Sequence, residues 1–205
     1  MLLEKDPWNV IITGVGGQGN VLASQILGQI LVDEGCIVTI GETYGASQRG
    51  GSVMSHLRIS RTDQFSPLIP EGQCDLVVGL EPVEALRVLA SYGNPGVLLL
   101  TNTRPIFPID VIAGDATYPG LPVILEKLGR LTKKLWTVDA TDIALGMGDP
   151  VYANIVMLGA LSATGMLPLS RESFVKVIEE LMPSHRLAGN LEAFEKGRET
   201  VREVM

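Results

Sequence analysis

The run Val10-Ile11-Ile12-Thr13-Gly14-Val15-Gly16-Gly17-Gln18-Gly19 constrains this chain more than any other segment. A short apolar stretch rich in β-branched residues reads as a buried strand, and it stops at a cluster of glycines. An apolar segment with helical character, Val21 to Val32, follows at once. Strand, tight turn and helix in that order define a βα unit, and Gly14, Gly16 and Gly19 fill the G-x-G-x-x-G template within it. The chemistry behind the template is local. Gly14 permits the tight turn, Gly16 leaves bare backbone for a phosphate to approach, and the helix start presents unpaired N–H groups to an anion. Two readings stay open on these residues. One is a ligand-facing loop; the other is a glycine-rich turn that packs closely and binds nothing.

The rest of the chain extends the same α/β pattern. After the first strand (Val10 to Ile12) a helix is expected from Asn20 to Glu34, with Gly35 closing it. A second strand runs from Cys36 to Ile40, and Gly41 to Gly51 reads as an irregular loop where an ordinary βαβ unit would place its second helix. Val53 to Ile59 and Phe65 to Ile69, separated by Arg61-Thr62-Asp63-Gln64, read as a β-hairpin inserted into the pattern. Core strands follow at Leu76–Leu80, Val97–Leu100 and Leu135–Val138. Helices are expected from Pro82 to Ala90 and Ile124 to Leu131, then at Val151–Ala163, Arg171–Leu181 and Arg186–Val204. Prolines 105, 108, 119 and 122 exclude a long element over residues 101–122. The expected fold is α/β: a Rossmann-like, mostly parallel sheet with an inserted hairpin and a helical C-terminal part, forming a single domain over residues 1–205.

Composition narrows the partners. The formal net charge is −7, no stretch concentrates lysine or arginine, and aromatics are only 5% of the chain, so nucleic acid is not an expected partner. The uncharged stretch Val151 to Leu169 is broken by Asn154, Gly159, Ser162, Thr164, Gly165 and Pro168, and reads as a helix buried in the domain or at a subunit interface, not a membrane span. Cys36 and Cys74 each adjoin apolar runs and read as buried thiols. With no secretory signal in Met1 to Asn9, the expected location is the cytoplasm.

Candidate chemistry is sparse. Glu42, at the end of the second strand, stands where a dinucleotide site places its ribose-binding acid. Gln48-Arg49-Gly50-Gly51 sets an arginine in flexible backbone, suited either to clamp a phosphate or carboxylate or to pair across a subunit interface. His56 and His185 lack catalytic companions, and no nucleophile elbow, zinc helix or Walker lysine is present. The residues therefore suggest a binding or assembly module without its own catalytic set.

Taken together, Thr13 to Gly19, Gln48 to Val53, Glu81-Pro82-Val83-Glu84-Ala85-Leu86-Arg87, Ser66 to Ile69, Tyr118-Pro119, Asn154 through Gly159-Ala160-Leu161, and Asn190 with Ala193 to Gly197 resemble the gamma-type subunits of 2-oxoacid:ferredoxin oxidoreductases. The resemblance spans nearly the whole chain in order. In the Gln-Arg-Gly-Gly-Ser-Val and Tyr-Pro details it is most similar to the small (beta) subunits of indolepyruvate ferredoxin oxidoreductase. It implies an assembled enzyme that decarboxylates a 2-oxoacid on thiamine diphosphate, passes electrons through iron–sulfur clusters to ferredoxin and forms an acyl-CoA. It further implies that those cofactors sit on partner subunits and that this chain alone is inactive. Under it, Gly14, Gly16, Gly17, Gln18, Gly19, Gln48, Arg49 and Gly50 become candidate contacts to coenzyme A or to a partner subunit. The alternatives are a free-standing NAD(P)-dependent oxidoreductase using Gly14 to Gly19 and Glu42, and a non-enzymatic α/β assembly module.

Overall fold

The computed structural model describes residues 5–45 and 51–204. Seven strands form one mixed sheet: β1 (Trp8–Val15), β2 (Ile37–Tyr44), β3 (Ser52–Ser60), β4 (Leu76–Gly79), β5 (Leu98–Asn102), β6 (Lys134–Val138) and β7 (Arg202–Val204). Their order across the sheet is β2-β3-β1-β4-β5-β6-β7. β4, β5 and β6 pair in parallel beyond β1, whereas β3 is antiparallel to both β1 and β2, and β7 is antiparallel to β6. Five strands therefore share one direction, as the α/β pattern requires.

Alternate residues of the central strands face different helices, the consequence of a side-chain period of two. Val10 and Ile12 of β1, with Leu76 and Val78 of β4, lie in a core shared with α1 (Asn20–Asp33), α6 (Ala153–Thr164), α7 (Arg171–Leu181) and α8 (Ser184–Thr200). Ile11, Val77 and Leu99 point the other way, into a smaller core with α2 (Pro82–Tyr92) and α4 (Leu121–Leu131). The short helices α3 (Ile109–Ala113) and α5 (Ala140–Gly146) complete the set. Helix α1 ends as expected: Gly35 takes a left-handed φ of 81°, and the Cys36 N–H returns to the Leu31 carbonyl at 2.9 Å. The uncharged 151–169 stretch becomes a 3-10 turn (Pro150–Tyr152) and the buried helix α6. No described helix is long and apolar enough to cross a membrane. Cys36 and Cys74 are buried free thiols.

Three sequence expectations change. The hairpin is β2–β3, running from Ile37 opposite Ser60 to Tyr44 opposite Val53. Phe65 to Ile69 is not a strand. The reason is that both edges of β3 are taken, by β1 and by β2, so no ladder remains for residues 65–69. That segment instead covers the sheet: Pro67 lies over Gly41, the Arg58 guanidinium stacks 4.9 Å from the Phe65 ring centroid, and the Ile69 N–H donates to His56 Nδ1 at 3.4 Å. Next, β2 continues through Tyr44, into what the sequence suggests is loop. Last, the C-terminal helix stops at Thr200 and the chain turns to form β7 on the free outer edge of β6, where Lys134 and Glu203 pair at 3.1 Å. An edge strand offers unpaired backbone groups, and three residues are enough to engage them.

Helices α6 and α8 pack with their backbones nearly touching. A Cβ on Gly159 would lie 1.9 Å from the Phe194 carbonyl oxygen, and one on Gly197 would lie 2.0 Å from that of Val156. Phe174 and Phe194 stack beside this contact with centroids 4.0 Å apart. Because the obstacles are backbone atoms, the crossing cannot accept even one methyl without shifting a helix. Gly159→Ala is expected to cost on the order of 1–3 kcal/mol. That corresponds to a melting temperature lowered by about 2–4 °C per kcal/mol, read by calorimetry.

His56 is fully buried, edge-on to Tyr92 at 5.4 Å, and its Nε2 has no partner among the described residues. Burial lowers its pKa below the ordinary value of 6.5. The folded chain thus resists a proton that the unfolded chain accepts. Its contribution to stability is complete above pH about 6.5 and is lost as the pH falls from there through the lowered folded value. Urea unfolding at stepped pH values is expected to show this decline in the wild type, with a shallower slope in His56→Phe.

Candidate functional site

The helices on opposite faces diverge between β1 and β4: α1 leaves the end of β1 toward one face, and α2 leaves β4 toward the other. Crevices form at such reversal points, outside the carboxyl ends of the strands, and bind ligands in open α/β sheets. Here two clefts open side by side.

The larger, about 600 Å³, is walled by the glycine loop Gly16 to Gly19, by Leu80 and Asn102 at the ends of β4 and β5, by Thr141 at the start of α5, and by Asn154 of α6. Leu22, Ile106, Val151 and Met157 give it apolar surface. Gly19 caps α1 with a φ of 82° and no side-chain acceptor, so the first-turn N–H groups of α1 are not capped by a side chain. A Cβ at Gly19 would also sit 2.3 Å from Asn154 Nδ2. Only glycine meets both conditions. Asn154 donates to the Gly19 carbonyl at 3.2 Å, and its Oδ1, although the residue is only 2% exposed, has no partner among the described residues.

Gln18 has a structural task. Its Oε1 accepts from the Val15 N–H at 2.7 Å and its Nε2 donates to the Leu80 carbonyl at 2.9 Å, bridging the ends of β1 and β4. A Cβ on Gly14 would meet that Oε1 at 2.6 Å, so the first glycine makes room for Gln18. The Leu80 carbonyl also accepts from Asn102 Nδ2 at 3.0 Å, and Asn102 in turn donates to Thr141 Oγ1 at 2.9 Å. Gly16 gives its N–H to the Gly51 carbonyl at 2.8 Å, while Gly17, at φ 108°, lies open on the cleft side. Gln48, Arg49 and Gly50 lie outside the described residues.

Glu42 is not presented to a ribose. Its two oxygens accept from Ser55 Oγ at 2.7 Å and Ser24 Oγ at 3.1 Å. More decisively, β3 lies between β1 and β2, which moves the end of β2 about 4.8 Å further from the glycine loop than in a sheet where they are neighbours. No lysine or arginine lines the larger cleft among the described residues.

The second cleft, about 320 Å³, lies on the α2 side and is lined by Glu81, Glu84, Arg87 and Tyr118 together with Val15, Ser52 and Ile106. Glu81 caps α2 by accepting from the Glu84 N–H at 2.8 Å, and also accepts from the Ile106 N–H and the Tyr118 hydroxyl. Asn102, Thr141 and the Glu81–Tyr118 pair were not singled out as site residues by sequence. The position of Asn102 and Glu81, just past parallel core strands, is the signal that could have marked them.

Residues 9–200 match the family described as pyruvate ferredoxin/flavodoxin oxidoreductase, and the chain belongs to that family. It is 40% identical over 202 residues to the indolepyruvate oxidoreductase subunit IorB of Thermococcus kodakarensis, covering 97% of this chain and 98% of that one. It is 31% identical over 176 residues to the pyruvate/ketoisovalerate oxidoreductases common subunit gamma of Pyrococcus furiosus, covering 82% of each. The crystal structure of the pyruvate oxidoreductase subunit PORC of Thermotoga maritima matches with a TM-score of 0.68 and 27% identity, over 98% of this chain and 100% of that one.

If Gln18 braces the loop, its loss must be felt without any ligand. Gln18→Ala leaves the Val15 N–H without its acceptor and removes one donor from the Leu80 carbonyl, an expected cost of about 1–3 kcal/mol in urea unfolding of the isolated chain. A side chain serving only as a ligand contact would leave that midpoint unchanged.

Proposed function

We propose that this chain is the subunit without redox or thiamine cofactors in an enzyme that oxidatively decarboxylates a 2-oxoacid, an aryl pyruvate such as indolepyruvate, to an acyl-CoA with reduction of ferredoxin. The observation that carries this reading is the 40% identity, end to end, with an indolepyruvate oxidoreductase subunit. Thiamine diphosphate on a partner subunit supplies the decarboxylation chemistry, and iron–sulfur clusters supply the path for electrons. What this chain offers is the larger cleft. Its apolar walls suit a pantetheine-like chain, the unpaired Asn154 Oδ1 is an acceptor for an amide or hydroxyl donor, and the start of α1 favours a phosphate. The described lining lacks a cation, so charge neutralisation falls to Arg49 or to the partner subunit. Gly16, Gly17, Gln18 and Gly19 build that cleft wall, Gly14 makes room behind it for Gln18, and Gln48, Arg49 and Gly50 complete the contact to coenzyme A or to the partner.

The NAD-dependent alternative is disfavoured by the engaged Glu42 and by the strand between β1 and β2. Affinity purification from the native host, with thiamine and iron analysis, tests the main reading: thiamine- and iron–sulfur-bearing partners are expected, and bound NAD(H) would favour the alternative. The chain alone is expected not to reduce a viologen dye with indolepyruvate. Arg49→Ala is expected to weaken assembly or coenzyme A use by roughly 30- to 3,000-fold, equivalent to about 2–5 kcal/mol for an unpaired buried charge. Loss of co-elution assigns Arg49 to the interface, and a raised coenzyme A requirement in an intact complex assigns it to the ligand. Normal assembly and turnover would remove Arg49 from the site.

A further inference from the structure

The smaller cleft holds an unbalanced charge that the fold does not use. Glu81 is 1% exposed, and its carboxylate is occupied by the Glu84 N–H, the Ile106 N–H and the Tyr118 hydroxyl. Glu84, one turn into α2, is 6% exposed. Its Oε1 accepts from Arg87 Nη1 at 2.7 Å, but its Oε2 has no partner among the described residues. Among the described residues the cleft thus holds two carboxylates and one guanidinium, which pairs with Glu84 alone, and one buried carboxylate oxygen is left over. Leaving such an atom unmatched in a finished structure is costly, so an oxygen of this kind marks a donor that arrives from outside.

The surroundings favour a protein partner. Ile106 and Pro108 line the cleft, and Phe107 between them is 53% exposed, edge-on to Tyr118 at 5.1 Å. Val111 also lines it, and the next residue, Ile112, is 74% exposed. Large apolar side chains around a buried charged centre are the composition of an interface hot spot with its water-excluding rim. The volume of about 320 Å³ suits one long side chain better than an extended cofactor.

We propose that this cleft is the socket for a lysine of the partner subunit, whose ammonium completes the charge balance of Glu84 and Glu81. This inference rests on the reading of the chain as one subunit of a larger enzyme. A lysine fits better than an arginine for a geometric reason. A guanidinium binds a carboxylate best through both oxygens, and Arg87 already holds one of them, whereas an ammonium is a compact point charge that needs only the free oxygen. A second guanidinium would also lie against Arg87. Tyr118 is held as a donor to Glu81, since burial, its bond to Glu81 and the neighbouring Glu84 all raise its pKa. It leaves the acidic character of the cleft intact.

The test uses the chain co-expressed with its thiamine- and iron–sulfur-bearing partner. Glu84→Gln is expected to raise the subunit Kd about 30-fold or more and to flatten its dependence on salt, with Glu84→Asp intermediate. The isolated Glu84→Gln chain is expected to melt no lower than wild type, because the amide keeps an acceptor for Arg87 while the buried oxygen without a partner no longer carries charge. Acetylation footprinting of the wild-type complex, which needs no variant, is expected to find a partner lysine protected on assembly. An unchanged Kd in Glu84→Gln, or a complex in which no partner lysine gains protection, overturns the proposal while leaving the subunit reading intact. Wild-type chain that fails to bind the partner overturns both. Self-association of the isolated chain that Glu84→Gln abolishes would give the socket to a second copy instead.

Discussion

Both edges of β3 are occupied, by β1 on one side and β2 on the other, and the arrangement of the molecule depends on that ladder. In the simplest βαβ unit the helix returns the chain to a strand beside the first. Here α1 carries the chain one position further, and β3 returns antiparallel to fill the gap. The insertion displaces Glu42 sideways from the glycine loop and sets it against Ser24 and Ser55. It also leaves residues 65–69 without an edge to join, so that segment covers the sheet face over Gly41 and His56. One pairing choice thus separates Glu42 from the glycine fingerprint.

At the other side of β1 the Leu80 carbonyl gathers the strand ends. It accepts from Gln18 and from Asn102, which links the glycine loop, β4, β5 and, through Thr141, the start of α5. Buried backbone acceptors are almost always matched, and here the match is made by side chains from two other elements. The two clefts diverge from this point. One has apolar walls, an amide acceptor and a helix start; the other has buried carboxylates. Their chemistry is complementary, and both open at the carboxyl ends of the same strands.

The helical C-terminal part anchors the larger cleft. Gly159 and Gly197 let α6 and α8 approach to backbone contact, which fixes the position of α6. Asn154, in the first turn of that helix, is thereby held against the Gly19 carbonyl. A packing feature far from the strand ends thus sets the position of a polar group at them.

Much of the fold was legible in the sequence because local rules carried it. The apolar run before Gly14, the left-handed stop at Gly35, Pro82 at the first position of α2 and the uncharged apolar run of α6 each follow from chain chemistry within a few residues. The glycine loop and the family resemblance were legible for the same reason. What the sequence could not decide was which edges meet. The true partner of β3, the strand order that isolates Glu42, and the capture of Arg202–Val204 by β6 depend on ladders between segments distant along the chain. The site divides in the same way: residue type and spacing picked out Gly14 to Gly19, but only tertiary structure engaged both ends of Gln18 and left one oxygen each of Asn154 and Glu84 buried without a partner among the described residues. Local propensity is written residue by residue, whereas satisfaction of a buried polar atom depends on everything the fold brings beside it.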